Sequence, residues 1–358
     1  MKAAVYTEVG APVVVDDDVQ VRDPGSGEVR VAIQSAGLCH SDVSAINGTY
    51  NMPKPMVMGH EGAGFVEAVG EGVKTVKEGD PVVISTLGNC GHCPECDTGR
   101  PTMCHKAPLP SRPFTFRGEP AFNFANASTF AERTLVPASS AVPVPSELPM
   151  PQAALIGCGI ITGVGAVLNT ANVQAGQTMV VVGAGGIGLN IIQGGVLAGA
   201  SKIIAVDLLP QKLEWAKKLG ATHLINGNEG DPVEQVKELT GGRGVDHAFE
   251  AVGVIPAINQ AFSMLAPGST LTIVGVPKMG AKAEFTVTDF RLDRKVQGCR
   301  YGTARPQFDF PMLAELYLGG RLNIDDLITR FYPLDEINTA IEDLERGELA
   351  RGVFTIGS

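Results

Sequence analysis

The alternation of apolar and polar positions changes character near the middle of the chain. Up to about Met150, short apolar segments such as 29–35, 64–69 and 81–84 are separated by turns rich in glycine and proline. Short strands between such turns are typical of antiparallel sheets. The first part of the chain is therefore predicted to form a mostly β domain.

After about Thr178 the pattern becomes a succession of apolar runs and helical segments. The apolar runs lie at 179–182, 203–206, 223–225, 245–249 and 270–274, and the helical patterns lie at 187–200 and 210–219 and from about 232 and 255. Repeated strand–helix units predict a parallel sheet with helices on both faces. From about Arg300, helical patterns at 310–318 and 334–346 precede a strand at 352–356, and we expect this tail to return to the first domain.

Composition excludes several classes of function. The chain has 358 residues, of which 44% are apolar and 18% charged, and this length favours two domains. A net charge of −10 argues against a nucleic-acid partner. The uncharged stretch 148–201 is interrupted by glycine, asparagine and glutamine, which favours a buried strand–turn–helix over a membrane span. Because no signal peptide is evident at the N-terminus, we expect a soluble cytoplasmic protein with reduced cysteines and no membrane partner.

A glycine-rich turn follows the first strand of the parallel sheet and opens a helix. It reads Gly183-Ala184-Gly185-Gly186-Ile187-Gly188. These glycines allow a tight turn, close approach of a pyrophosphate and close helix–strand packing. The next strand ends at Asp207, a carboxylate that suits the ribose hydroxyls of NAD and repels the 2′-phosphate of NADP. Lys212 could add a ribose contact, or be an exposed lysine without a role.

Four cysteines fall within one short, flexible segment. They are Cys90, Cys93, Cys96 and Cys104. Such a segment offers little core in which to bury thiols, and four thiolates close a tetrahedral zinc site without leaving room for chemistry. The spacing predicts a structural zinc.

Two further cysteines predict a second, open zinc site. Cys39 and Cys158 lie in glycine-rich segments, although either alone could be a small buried residue. With His60 they would form a Cys₂His site whose fourth position is free for substrate. Asp42 could hold the other nitrogen of His60, or could be an ordinary turn or cap residue. Cys299 has no partner in either set and is expected to be buried.

The order and spacing of these motifs resemble the zinc-dependent medium-chain alcohol dehydrogenases over nearly the whole chain. The segments that carry the resemblance are GLCHSD from Gly37, GHEGAGFVEAVGEGV from Gly59, the four-cysteine segment, GCG at 157–159, GAGGIG with Asp207, and ELARGVFTI near the C-terminus. The resemblance implies a GroES-like catalytic domain (1–159 and 300–358), a Rossmann NAD-binding domain (160–299) and an active cleft between them.

The resemblance also implies a role for individual residues. The catalytic zinc would be held by Cys39, His60 and Cys158, with Glu61 behind it, and the structural zinc by the four clustered cysteines, so that each subunit binds two zinc ions. Ser41 would hydrogen-bond the reacting oxygen and pass its proton on. His40 and Arg351 would lie at the pyrophosphate and Thr162 against the nicotinamide, to which the alcohol carbon gives its hydride.

The implied substrate pocket is lined by residues from several parts of the chain. They are Tyr50, Thr86, Phe124, Val276 and Arg300. These residues suit a medium-chain or aromatic primary alcohol and its aldehyde. Arg300 could point to solvent or receive a substrate carboxylate. The segment 104–114 is shorter than in the animal enzymes, which should widen the entrance.

One position departs from the family pattern. Many members have a histidine three residues beyond the relay serine, where this chain has Ser44. The proton relay should therefore end at a ribose hydroxyl, a water or another base.

Other functions are compatible with the same motifs. An S-(hydroxymethyl)glutathione dehydrogenase and an alcohol:aldehyde dismutase that retains NADH are the enzymatic alternatives, and a cofactor-binding structural protein is the non-enzymatic one. The family suggests a homodimer or homotetramer, with 271–276 as an edge strand that pairs between subunits.

We expect Asp207→Gly to shift the cofactor preference towards NADP, because the change removes the carboxylate that repels a 2′-phosphate. The measurement is the ratio of kcat/KM for NAD to kcat/KM for NADP. An unchanged ratio would contradict the role assigned to Asp207.

Overall fold

The computed structural model describes residues 1–107 and 111–357. Contacts within the chain divide it into two compact units. One unit comprises Met1–Cys158 and the segment from Arg305 onward, and the other comprises Gly159–Ala304. The first unit is thus discontinuous in sequence.

The strands of the described residues are numbered in chain order. They are β1 (Ala3–Tyr6), β2 (Val14–Asp16), β3 (Val19–Val21), β4 (Glu28–Leu38), β5 (Met56–Val57), β6 (Glu61–Val69), β7 (Pro81–Ile84), β8 (Phe114–Phe116), β9 (Glu119–Asn123), β10 (Arg133–Pro137), β11 (Ala141–Pro143), β12 (Thr178–Val182), β13 (Lys202–Asp207), β14 (His223–Asn226), β15 (Val245–Glu250), β16 (Leu265–Ile273), β17 (Lys295–Gly298), β18 (Ile328–Pro333) and β19 (Arg351–Thr355).

The α-helices are numbered in the same way. They are α1 (His40–Ile46), α2 (Pro94–Asp97), α3 (Met150–Leu155), α4 (Ile161–Gly165), α5 (Gly186–Ala198), α6 (Pro210–Lys218), α7 (Pro232–Leu239), α8 (Ile255–Ser263), α9 (Pro306–Leu318) and α10 (Ile337–Glu345).

The first unit is built on two sheets. One has the strand order β2-β1-β5-β9-β8-β3, and the other has the order β11-β7-β6-β4-β19-β18 with β10 also paired to β4. The predicted strands at 29–35, 64–69 and 81–84 are confirmed as β4, β6 and β7. The tail contributes β18 and β19 to this unit. β19 corresponds to the predicted strand at 352–356, whereas β18 was not predicted.

The second unit contains one parallel sheet, in the order β14-β13-β12-β15-β16-β17. Helices α5 to α8 alternate with these strands, which confirms the predicted doubly wound arrangement. The expectation that 271–276 forms the edge strand is wrong. The first half of that segment, 271–273, belongs to β16, which pairs with both β15 and β17. β17, a short strand without an apolar run, was not predicted.

A helical run, Met150–Ala171, contains α3, α4 and two π-helical turns. It is long and apolar enough to cross a membrane by length and composition alone, but 72% of its most apolar window is buried inside the protein. This burial favours a core helix.

Gly64→Ala should lower the free energy of unfolding by about 2 kcal/mol, because overpacking a core costs about 1–3 kcal/mol. A Cβ at Gly64 would collide with the Ala32 carbonyl on the neighbouring strand β4. Thermal unfolding measures the loss, and Gly298→Ala is the matched control, since a Cβ there meets nothing within 4 Å. Equal melting temperatures for the two variants would contradict the packing of β6 on β4.

Candidate active site

The ends of three adjacent strands bring the candidate site together. β4 ends at Leu38, β6 begins at Glu61 and β19 begins at Arg351. In the antiparallel register Gly37 lies opposite Glu61, and Leu38 lies opposite Gly352. Cys39 follows β4 directly, as the N-cap residue of α1. The sheet register thus places groups from distant parts of the sequence side by side.

The structure brings together the residues predicted for the open metal site. The ligand atoms of Cys39, His60, Glu61 and Cys158 all lie within 4.8 Å of one another. Cys158 lies in the π-helical turn Ile156–Ile160, and such turns are frequent at functional sites. Two thiols, an imidazole and a carboxylate in one buried group form a donor set suited to zinc.

Asp42 holds the imidazole of His60 in place. The two side chains are buried, and His60 Nδ1 lies 3.0 Å from Asp42 Oδ1. The other carboxylate oxygen accepts a hydrogen bond from the backbone N–H of Cys39 (3.1 Å). Within the described residues His60 Nε2 is buried without a hydrogen-bond partner. The imidazole therefore has one nitrogen fixed and the other free to act as a ligand.

The two thiols share a hydrogen bond. It lowers the pKa of Cys39 well below its usual range and raises the pKa of Cys158 well above it. Although burial disfavours an imidazolium, the carboxylate of Asp42 raises the pKa of His60 well above its ordinary value. Such mutual perturbation in a buried group is typical of a functional site.

Glu61 forms a buried ion pair with Arg351 that the sequence pattern did not predict. The guanidinium Nη2 donates a hydrogen bond to Oε2 of Glu61. Burial raises the pKa of Glu61 to about 7, even though Arg351 favours its ionised form. A side chain at Gly37 would collide with this carboxylate, so the pair requires a glycine there. The predicted contact of Arg351 with a pyrophosphate stays a prediction.

Helix α1 carries the predicted proton-relay segment. Ser41 Oγ lies 3.8 Å from Cys39 Sγ, next to the metal-ligand group. Ser44, in the position of the family histidine, accepts a hydrogen bond at its backbone carbonyl from the N–H of Tyr50 (3.1 Å). Burial raises the pKa of Tyr50. The Ser44–Tyr50 pair thus occupies the place where a relay histidine would lie.

Phe124 supplies an apolar wall beside the metal-ligand group. Its ring is buried and meets the His60 ring edge-on, with 5.6 Å between the ring centroids. An apolar neighbour of this kind keeps water from the imidazole and strengthens the electrostatic interactions around it.

The four clustered cysteines also converge, around the short helix α2. Their sulfurs lie within 4.8 Å of one another, with Cys93 Sγ 3.5 Å from that of Cys96 and 3.8 Å from that of Cys104. The backbone N–H of Cys90 donates to Cys104 Sγ at 3.4 Å. These positions match the arrangement predicted for a structural zinc.

A third group of possible ligands adjoins this lobe and was not predicted. It consists of Cys93, Glu95 and His105, with 2.8 Å between the His105 Nδ1 and Glu95 Oε2 atoms. It shares Cys93 with the four-cysteine group. The sequence feature that could have predicted this group is His105, which directly follows the last of the four cysteines.

The glycine-rich turn has the geometry of a phosphate-binding loop. Gly183 has φ +96°, which favours glycine, and a Cβ at Gly188 would collide with the Gly183 carbonyl. A Cβ at Gly185, by contrast, would meet nothing within 4 Å, so its backbone is open to an approaching phosphate. The Asp207 carboxylate accepts hydrogen bonds from the backbone N–H groups of Ala184 (2.7 Å) and Leu209 (3.0 Å). It is therefore fixed beside the turn.

The remaining predicted residues are distributed over both units. His40 is exposed, Tyr50 and Thr86 are half-buried, and all three belong to the first unit. The second unit carries the half-buried Thr162 and Lys212, the exposed Arg300, and Val276 with 65% of its surface exposed. Part of the segment 104–114, which was expected to widen the entrance, lies outside the described residues.

Comparison with family models covers both units. Residues 25–146 match the alcohol dehydrogenase GroES-like domain, and residues 186–317 match the zinc-binding dehydrogenase domain. The two matches fit the β-rich unit and the parallel-sheet unit, respectively. They confirm the GroES-like and Rossmann fold class.

Individual proteins resemble the chain over its full length. Alcohol dehydrogenase 1 of Trifolium repens is 36% identical over 99% of this chain and 96% of its own, and the NDMA-dependent alcohol dehydrogenase of Amycolatopsis methanolica is 38% identical over 99% and 98%. The crystal structure of benzyl alcohol dehydrogenase from Acinetobacter calcoaceticus superposes with a TM-score of 0.94 at 34% identity, covering 99% of both chains. The chain therefore belongs to the zinc-type medium-chain alcohol dehydrogenases.

Proposed function

We propose that this alcohol dehydrogenase interconverts primary medium-chain or aromatic alcohols and their aldehydes, with NAD as the hydride acceptor. The observation that carries the proposal is the buried group of Cys39, His60 and Cys158, in which the imidazole Nε2 has no hydrogen-bond partner among the described residues. A buried polar atom without a partner is costly, and a metal ion would satisfy it.

The residues present fit a catalytic zinc. Cys39, His60 and Cys158 would hold the ion, with Glu61 as a further oxygen donor, and the four-cysteine group would hold a structural ion. When bound at the first group, zinc supplies Lewis-acid polarisation of the alcohol oxygen, which favours loss of the hydroxyl proton.

The protein's own side chains prepare and complete this chemistry. Asp42 fixes the imidazole of His60 and leaves Nε2 available beside the two thiols. Ser41, next to Cys39, would accept the alcohol's proton and pass it on, while Phe124 shields His60 from water. In the oxidative direction the alcohol carbon loses a hydride to NAD and its oxygen loses a proton, which yields aldehyde, NADH and a proton.

The second unit fits the dinucleotide. The open backbone at Gly185 would accept the pyrophosphate at the N-terminus of α5. The carboxylate of Asp207 would accept bonds from the ribose hydroxyls and disfavour a 2′-phosphate. These features support NAD over NADP.

The preference for an aromatic or medium-chain substrate rests on the residues near the metal-ligand group. Phe124 and Tyr50 present ring surfaces in the first unit, and aromatic rings favour apolar and aromatic ligands. The similarity to a benzyl alcohol dehydrogenase supports the same substrate class.

A second candidate function is an enzyme that retains its nicotinamide cofactor between turnovers. One relative is an NDMA-dependent alcohol dehydrogenase, and dependence on a compound other than free NAD is compatible with a nicotinamide that stays bound. Protein purified without added cofactor would then already absorb as NADH.

We further propose that the protein forms a homodimer or a homotetramer, and sedimentation would distinguish the two.

Asp42→Asn should weaken retention of the catalytic zinc by about 10- to 100-fold, since loss of a carboxylate that orients a histidine ligand typically has this effect. We expect the wild type to hold about two zinc ions per subunit. After dialysis against a chelator, the variant should keep only the structural ion, as measured by metal analysis. Asp309→Asn is the matched control, because Asp309 is a buried carboxylate bound to the backbone of Arg305. Loss of zinc from the control as well, or retention of both ions by Asp42→Asn, would count against the assignment.

Benzyl alcohol and medium-chain primary alcohols should be oxidised with a higher kcat/KM than ethanol or secondary alcohols, with NAD preferred over NADP. The formation of NADH at 340 nm measures each rate. Matched ω-hydroxy acids test whether Arg300 receives a carboxylate, and S-(hydroxymethyl)glutathione tests the remaining alternative. Oxidation of the glutathione adduct alone would refute the proposed substrate class.

A further inference from the structure

Glu250 is a fully buried carboxylate that the proposed chemistry does not use. It ends β15 in the parallel sheet and has no exposed surface. Its Oε1 accepts hydrogen bonds from the backbone N–H groups of Val252 and Gly253, both at 2.7 Å. Its Oε2 has no hydrogen-bond partner among the residues that the structure describes. The side chain thus folds back to hold the loop that follows its own strand.

The backbone of Glu250 holds a second loop. Its carbonyl accepts hydrogen bonds from the N–H groups of Val274 and Gly275, both at 2.9 Å, and these residues follow β16. A Cβ at Gly275 would lie 2.7 Å from Glu250 Oε2, so the carboxylate packs tightly against this loop as well. One residue therefore joins the loops at the carboxyl ends of two neighbouring strands, the edge at which doubly wound sheets bind ligands.

The loop after β15 packs against the glycine-rich turn. Val252 Cγ2 lies 2.6 Å from the place where a Cβ of Gly183 would stand, and the N–H of Ala251 donates to the Val182 carbonyl at 2.9 Å. On the other side of this loop, backbone atoms of Val276 lie within 2.9 Å of the place where a Cβ of Gly253 would stand. The position of this loop consequently constrains both the phosphate-binding turn and the segment around Val276.

We propose that Glu250 is a positioning residue of the dinucleotide site: its carboxylate fixes the loop that supports the phosphate-binding turn at Gly183. The inference rests on the proposed function, because it takes the turn to bind a dinucleotide. Burial raises the pKa of Glu250, while the N–H groups of Gly253 and Val252 stabilise the ionised form. Removing the carboxylate leaves these N–H groups without an acceptor, which frees the loop.

The test compares Glu250→Ala and Glu250→Gln in the full-length protein. Titration calorimetry measures the Kd for NAD, ADP-ribose and AMP. Glu250→Ala should raise the Kd for NAD and for ADP-ribose by about tenfold or more, because the substitution leaves buried hydrogen-bond donors unsatisfied. AMP, which lacks the pyrophosphate, should bind within about twofold of its wild-type affinity. Glu250→Gln keeps an oxygen for both N–H groups and should restore NAD binding.

Asp246→Ala is the matched control. This residue lies at the other end of β15, where its carboxylate accepts hydrogen bonds from the N–H and hydroxyl of Thr178, both at 2.8 Å. The control should lower the melting temperature without changing the Kd for NAD. If Glu250→Ala acted only by destabilising the fold, it would raise the Kd for NAD, ADP-ribose and AMP together. Asp246→Ala would then raise the same three Kd values.

Unchanged NAD affinity in Glu250→Ala, or an equal loss of AMP affinity, overturns the inference. If Glu250→Ala does not fold, Val252→Ala decides, because Val252 is an exposed residue in contact with the turn. A loss of about threefold in affinity for NAD and ADP-ribose but not AMP supports the inference, and unchanged affinity overturns it. Wild-type protein that binds no NAD refutes the proposed function, whereas tight wild-type binding with an unaffected Glu250→Ala refutes only this inference.

Discussion

The candidate active site depends on one constraint: each buried ionisable side chain must be paired with another of complementary charge. Asp42, His60, Glu61 and Arg351 are all buried, and leaving one such charge without a partner costs several kcal/mol. Asp42 pairs with His60 and Glu61 pairs with Arg351, so the four groups form two pairs around the thiols. Because the side-chain period of a strand is two residues, slipping β4 against β6 by one residue would move Glu61 out of register with Gly37 and turn it to the other face of the sheet. The register of one sheet and the chemistry of the site are therefore inseparable.

Much of the fold could be predicted because its signals are local. The strand–turn–helix at Gly183 combines an apolar run, a glycine pattern and a helix start within a few residues, and the structure has β12 and α5 there. Short strands such as β17 and β18 carry no such signal, since exposed and polar residues make up much of both. The edge strand was misassigned for the same reason. Local patterns identify strands, but their order in a sheet depends on packing between distant segments.

The candidate site likewise contains residues that local patterns predict and residues that depend on contacts between distant segments. The convergence of the four clustered cysteines was predictable because closely spaced cysteines in a segment with little core of its own favour metal binding over burial, and Asp42 lies only three residues from Cys39. The Glu61–Arg351 pair was not predictable from spacing, because nothing local indicates that an arginine on a late strand will be buried against a carboxylate on an early one. Glu250 was missed because its partners are backbone N–H groups, which leave no trace in the side-chain pattern.

The pairing of Glu61 with Arg351 also has a consequence for the newly made chain. The two residues are 290 positions apart, so at about 5–20 residues per second a ribosome adds Arg351 roughly 15 to 60 s after Glu61. Until β19 joins β4, Glu61 lacks the guanidinium with which it pairs in the finished protein. The ion pair beside the metal-ligand group is therefore among the last contacts of this unit that can form during synthesis.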